Sequence, residues 1–387
     1  MTGTRATLDA EWSLLLAACS TIPSQEKAEC LRSLLREPIR WEHLVELADR
    51  HGTQPLLYQA LAGVADALPA EHLQSLKQMY QTNLHKALFL SRELIRIVDQ
   101  LATLGIEALP YKGLALAEVA YGDIALRHAG DIDLLIRPRD FPRVRDAVRE
   151  LGYVPHLALS EAQERAYLKT GYECAFDGVA GPNLLEVQWA IQPRFYAIDF
   201  DMDRLFQRAV TVSVAGRPMK TPSSEDLLLV LSAHAAKHVW GRLVWLCDIA
   251  RIISLPNLNW EWIGAQARDL GIMRVLRVTM ALAELLLSTN IPSAARTEIP
   301  REPAESTLTE EIQSHVLGEA TCSVESPDYF RLMLQLRERP ADRMRFLQRL
   351  ILTPGPGEWD AVHLPDPLFP MYRLVRLTRL AARLIRT

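Results

Sequence analysis

Residues 109–138 read LPYKGLALAEVAYGDIALRHAGDIDLLIRP, and the two carboxylates near the end, Asp131 and Asp133, decide how the rest of the chain is read. A turn carrying Lys112 and Gly113 leads into an apolar helical run, followed by Arg127 and then by two acids that open a hydrophobic strand. Residues two apart on a strand project from the same face, so Asp131 and Asp133 point together while Ile132 and Leu134 enter the core. Adjacent carboxylates repel unless a cation lies between them. Mg²⁺ is a hard cation commonly held by one or two carboxylates together with substrate phosphates. The stretch therefore suggests a metal–nucleotide site; the alternative is a solvated turn ahead of a strand.

Alternation of strand and helix continues around this stretch. Residues 106–111 have strand character, LALAEVAY is a short helix and DIDLLIR a second strand. The helix DFPRVRDAVRELGY follows, with Asp140 expected as its N-cap and Gly152 as its stop. The segments GYECAFDG and NLLEVQWAI read as a strand pair turning at Gly181-Pro182. The fold class expected is α+β: a small mixed β-sheet over 105–221, flanked by helical regions at 1–104 and 222–290. Helical periodicity marks LDAEWSLLLAAC, WEHLVELADR and the long run from Leu73 to Leu104, with Gly52 and Gly105 as C-caps and Pro55 opening a first turn. Residues 291–387 are expected to form a linker, proline-rich from Ile291 to Pro303, and a C-terminal helical region.

Composition narrows the function classes. The 387 residues, 49% hydrophobic and 23% charged, suit a globular protein of two or three domains. A formal net charge of −4 gives no basic excess, and nucleic acid is not an expected partner. The cysteines at 19, 30, 174, 247 and 322 lack CxxC or Cys/His spacing and read as reduced thiols. The N-terminal residues show no basic n-region and no run of 18 apolar residues occurs, so a cytoplasmic location is expected.

Two-metal phosphoryl chemistry commonly uses three acids. Glu186, inside the hydrophobic run LLEVQWAI, is the third candidate, because burying a carboxylate there is costly without a purpose; the alternative is a strand-edge glutamate facing water. Gly113 would let backbone approach a phosphate, and Lys112 and Arg127 would offset its charge, or else be solvated at the surface. Tyr111 and Tyr121 read as core. His234 and His238 are four apart on one helix face, with Lys237 and Arg242 close by, so the segment is expected to wall the nucleotide cleft. The competing reading is a buried pair, with Asp248 orienting an imidazole or pairing with Arg242. Zinc is disfavoured because no glutamate or cysteine completes its set. Trp240 and Trp245 read as core, and His43, His51 and His85 as structural. At the C-terminus, Arg373, Arg376, Arg379, Arg383 and Arg386 alternate with leucines in an amphipathic pattern. Such a helix either packs on the body or makes a peripheral membrane or protein contact.

Taken together, Lys112-Gly113, Tyr121, Arg127, Asp131 to Leu135, Gly152-Tyr153, Leu185 to Trp189, and His234, His238, Trp240, Leu243, Trp245 and Asp248 resemble an uncharacterised bacterial nucleotidyltransferase family of the polymerase-β-like superfold, over roughly residues 40–290. The resemblance implies that Asp131, Asp133 and Glu186 bind Mg²⁺ or Mn²⁺ and that Lys112 and Gly113 meet a triphosphate. The chain departs from the superfold in having Lys112-Gly113 for a Gly-Ser pair, and from the family in having Gln188 where histidine is frequent. The function this implies is transfer of a nucleoside monophosphate from a nucleoside triphosphate, with ATP expected, to a hydroxyl of an acceptor that the sequence does not specify: small molecule, sugar, peptide or protein. Two other classes fit a DxD: a glycosyltransferase, which calls for a larger Rossmann-like sheet before the motif, and a binding module without turnover, in which Glu186 would point away from the aspartates.

Overall fold

The computed structural model describes residues 8–386 other than 158, 180, 182, 319–325 and 363, so Pro182 and Cys322 lie outside the described residues. The N-terminal part is helical: α1 (Ala10–Cys19), α2 (Ser24–Leu34), α3 (Trp41–Arg50), α4 (Gln54–Ala62) and the long α5 (Ala70–Thr103). Gly52 and Gly105 follow the ends of α3 and α5 at φ of 67° and 66°, a left-handed conformation that glycine adopts without steric cost. Pro55 sits in the first turn of α4, where its missing N–H would have had no helical partner.

A mixed sheet follows, built from β1 (Ala108–Pro110), α6 (Gly113–Tyr121), β2 (Ile132–Ile136), α7 (Phe141–Glu150), β3 (Tyr153–Pro155), α8 (Glu161–Thr170), β4 (Glu173–Gly178) and β5 (Leu184–Gln188). Its strand order is β1-β2-β5-β4-β3, with β2 and β5 parallel and the other neighbours antiparallel. The α+β class expected from the sequence is therefore observed. Helices rather than a Rossmann-like sheet precede the DxD. Asp140 stands at the N-terminus of α7, but its side chain makes no capping bond, because a 3₁₀ turn at Pro138–Asp140 runs straight into the helix.

Alternation along the strands gives the sheet two unlike faces. Ile132, Leu134, Ile136, Cys174, Phe176, Leu185 and Val187 pack with Leu90, Leu94 and Ile97 of α5 and with Val144 and Val148 of α7. The other face carries Asp133, Leu135, Glu186, Gln188 and Glu173, because Asp133 pairs in register with Glu186, Leu135 with Gln188, and Gln188 with Glu173. After α9 (Met202–Gln207), the hairpin β6 (Val210–Val214) and β7 (Arg217–Thr221) turns through Ala215 and Gly216, both at positive φ, as a two-residue hairpin of the I′ kind requires.

The helices after the sheet do not form an isolated unit. Leucines of α10 (Ser224–Lys237) and α11 (Leu243–Ile253), with α12 (Trp260–Leu270) and α13 (Met273–Leu287), share one apolar core with Leu14, Leu15, Leu44, Leu57 and Leu61 of the N-terminal helices. The proline-rich stretch expected as a linker folds as well: α14 (Ser293–Glu298) buries Ala295, with Ile291 and Ile299 buried on either side. Helices α15 (Ser306–Leu317), α16 (Pro327–Gln335), α17 (Pro340–Leu352), α18 (Pro356–Ala361) and α19 (Tyr372–Arg386) complete the chain. On α19, Arg376 and Arg379 reach Glu358 at 3.3 and 2.8 Å, while Leu374 and Leu377 are exposed. Among the described residues no helix is long and apolar enough to cross a membrane.

Candidate active site

The polar face of the sheet and the helix pair α10–α11 enclose a cavity of ≈ 370 Å³. Its lining includes Lys112, Arg127, Asp131, Asp133 and Glu186 from the sheet side and His234, His238 and Arg242 from the helical side. Every site residue expected from the sequence except Gly113 thus lines one space. Gly113 serves the cavity indirectly. It adopts φ of 49°, and a Cβ there would lie 3.1 Å from the carbonyl oxygen of Asp131, so glycine lets the α6 turn close against the DxD without strain.

Asp131 lies just before β2 and Asp133 within it; Glu186 occupies the position beside Asp133 on parallel β5. Two residues missed in the sequence complete the acidic floor. Glu173, from β4, lines the same cavity, and Gln188 sits beneath it, 1% exposed. The Gln188 amide Nε2 lies 3.2 Å from Asp133 Oδ1, 3.2 Å from Glu173 Oε2 and 3.0 Å from Glu186 Oε2, so one NH₂ serves three carboxylates. The orientation of that amide is fixed from behind, since the Tyr111 hydroxyl donates to its Oε1. Glutamine here is thus an acid-gathering donor. Its surroundings explain why an apolar strand can end in a buried amide.

Positive charge balances this floor only in part. Lys112 Nζ donates to Asp133 Oδ1 at 2.9 Å, with the two side chains 12% and 3% exposed. Burial works against the ammonium, but Asp133 and Tyr111 outweigh it and hold the Lys112 pKa well above its ordinary value. Arg127, buried likewise, forms a two-pronged pair with Asp248 at 3.0 Å, and the Tyr121 hydroxyl donates to the same carboxylate at 2.8 Å. This stands in place of the competing reading, which paired Asp248 with an imidazole or with Arg242, whose Nε donates instead to the carbonyl of Arg50. Lys237 Nζ bonds the Tyr172 hydroxyl, at 3.2 Å. Among the described residues, Lys237 and Arg242 are therefore cavity cations without a carboxylate partner in hydrogen-bond contact.

Burial, with the crowding of these acids, shifts their proton affinities. Burial, then the charges of Asp133 and Glu173, pushes the Glu186 carboxyl up to about 8. Burial and Asp133 push Asp131 up to about 6, and burial raises Glu173. Across the cavity, burial lowers Lys237 to about 8 and, with Lys237 and Lys112 nearby, His238 to about 3; His234 falls well below its ordinary value for the same leading reason. Both histidines are neutral near pH 7. They pack at 4.9 Å from each other and 5.2 and 5.1 Å from Trp245, which lines the cavity instead of belonging wholly to the core. Trp240 is fully buried as expected and donates from Nε1 to Thr279. It and Val239 stand at positive φ in the turn joining α10 to α11, strain of about 1–3 kcal/mol per residue that the surrounding packing holds in place.

The donor set suits a hard divalent cation: carboxylates at two neighbouring strands facing one cavity, with the Asp131 and Glu186 carboxyls raised in proton affinity that a bound cation would relieve. Asp131, Asp133 and Glu186 are not drawn together within 4.8 Å as a set; among the described residues the groups so closely gathered are Asp9, Glu11 and His43, and Glu302, Glu305 and Glu338.

A family model described as an uncharacterised nucleotidyltransferase matches residues 37–288, which span the sheet and both helices that cover it. No curated protein and no solved structure matches the chain.

Proposed function

The chain belongs to this nucleotidyltransferase family, and on that premise we propose that it transfers a nucleoside monophosphate from a nucleoside triphosphate, ATP being the expected donor, to an acceptor hydroxyl with release of pyrophosphate. The observation that carries the reading is the in-register pairing of Asp133 with Glu186 on parallel strands, with Asp131 at the strand mouth and all three facing one cavity. Asp131, Asp133 and Glu186 are the residues that would hold Mg²⁺ or Mn²⁺. A bound divalent ion would neutralise charge developing on the transferred phosphoryl group.

The remaining work falls to side chains of this chain. Gln188 and Lys112 fix the Asp133 and Glu186 carboxylates on the sheet face, which is the positioning on which phosphoryl transfer chiefly depends. A divalent cation held beside Asp133 would bring down the raised Glu186 pKa, so Glu186 serves as a ligand, and the proton of the acceptor hydroxyl passes to solvent. The hydroxyl oxygen bonds to the α-phosphorus as the bond to the bridging oxygen breaks, and the departing pyrophosphate faces Lys237 and Arg242. Neutral His234 and His238 offer hydrogen bonds rather than charge. Acceptors of every class named from the sequence are compatible with this chemistry. The test is release of pyrophosphate from triphosphates by the purified protein with Mg²⁺ and an extract-derived acceptor fraction. Loss of release in Asp131→Asn supports the reading; release of a nucleoside diphosphate from a sugar nucleotide instead would replace it with glycosyl transfer.

A further inference from the structure

A second cavity, of ≈ 670 Å³, opens between α1, α2, α4 and the C-terminal end of α11, and shares no lining residue with the first. Among the described residues its lining holds two cationic side chains, Lys27 and Arg251, and no aspartate or glutamate. Lys27 Nζ donates to the carbonyls of Ser20 at 2.6 Å and Ala18 at 3.4 Å, leaving one of its three N–H groups uncommitted. Arg251 lies over the Tyr121 ring at 4.6 Å, and its buried Nε has no hydrogen-bond partner. Thr21, whose hydroxyl is likewise buried without a partner, lines the same space.

Two neighbouring cations facing one cavity without an acid repel each other, and each loses hydration. Burial, and next the Arg251 charge, lower the Lys27 pKa accordingly. From this arrangement we infer that the cavity binds a small phosphorylated organic molecule, its dianionic phosphate held between Lys27 and Arg251. An ammonium supplies a point charge and a guanidinium a planar fork, a combination suited to phosphate. A phosphate alone would fill little of the space. Gln59 and Ser254 supply polar contacts for the rest of the ligand, and Leu31 and Leu255 an apolar wall.

The experiment is calorimetric titration of the full-length protein, in phosphate-free buffer, with inorganic phosphate, glycerol phosphate and succinate. Saturable binding of glycerol phosphate, tighter than of phosphate or succinate, is expected. Arg251→Gln should weaken it at least tenfold while Lys237→Met, in the other cavity, leaves it unchanged. Should Arg251→Gln not fold, Lys27→Gln reads the same loss. The inference is overturned if Lys237→Met abolishes binding and the Arg251 or Lys27 variant does not, if succinate binds as tightly, or if neither phosphate probe binds saturably. It stands independently of the nucleotidyl-transfer reading, because it uses no residue of the first cavity.

Discussion

Asp133 and Glu186 stand side by side across the parallel β2–β5 pair, and the amide of Gln188 donates to both. Two carboxylates so placed are favourable to each other only through what lies between them. In the protein by itself that is one NH₂ group and the ammonium of Lys112. The consequences for stability and binding can be measured separately.

Glu186→Gln should stabilise the metal-free protein, and more so at high pH. The native Glu186 carboxyl titrates near 8, above its ordinary value of 4.5, so folding takes up a proton between these limits. Stability of the wild type accordingly falls as pH rises through this window, and the variant lacks that loss. Thermal melts with chelator at pH 5 and pH 8.5 should show the gap widening in favour of the variant by about 2 °C or more, the scale of 1 kcal/mol in a large domain. An equal gap at both pH values would mean that Glu186 carries no excess proton affinity.

Asp133→Asn behaves differently, although relief of carboxylate repulsion alone would lead one to expect stabilisation. Removing the charge strands the buried Lys112 ammonium, and breaking a buried ion pair costs about 3–5 kcal/mol. The variant should melt below the wild type, and Lys112→Met added to it should restore part of the loss. Melting of the double variant at or below that of Asp133→Asn would show that Lys112 is not balanced by this aspartate.

Triphosphate recognition should depend on Lys237 and Arg242. Lys112 and Arg127 are committed to Asp133 and Asp248, whereas among the described residues Lys237 and Arg242 have no carboxylate partner within hydrogen-bond reach. Lys237→Met should weaken triphosphate binding about tenfold, or about 1.4 kcal/mol, and leave nucleoside binding nearly unchanged. Because burial lowers Lys237 to about 8, wild-type triphosphate affinity should also decline above that pH. Equal losses for nucleoside and triphosphate would place Lys237 against the base or sugar.

His238→Gln should reduce turnover without moving the acid limb of its pH profile, since the imidazole, lowered to about 3, is already neutral wherever the enzyme is folded and active. Metal analysis of the purified protein should show no stoichiometric zinc. Zinc lost on mutating either histidine would make the pair a metal site.

Much of this arrangement was legible before the structure. The alternation of DIDLLI and LLEVQ places acids on one face and aliphatic residues on the other, and the period-two rule needs only local sequence. The i, i+4 histidines were legible by the same kind of rule. Glu173 and Gln188 were not, because a polar residue at a strand end looks the same whether it faces water or a buried cluster. The Arg127–Asp248 pair joins residues 121 positions apart and has no local signature. Trp245 was misplaced in the core for a related reason: an aromatic ring on an apolar helix packs equally well against a core or against two histidines at the wall of a cavity. The Ile291–Pro303 stretch looked like a linker because prolines interrupt it, yet its apolar residues find the helical core.

The most direct test is equilibrium binding of a non-hydrolysable ATP analogue to the full-length protein, with Mg²⁺ and with chelator, in the wild type and in Glu186→Gln. Coordination of a divalent ion by the β2–β5 carboxylates requires Mg²⁺ to tighten wild-type binding at least tenfold and the variant to lose most of that gain while remaining folded. Affinity independent of Mg²⁺ in the wild type, or the same Mg²⁺ gain in the variant, would contradict a metal–nucleotide site on this sheet.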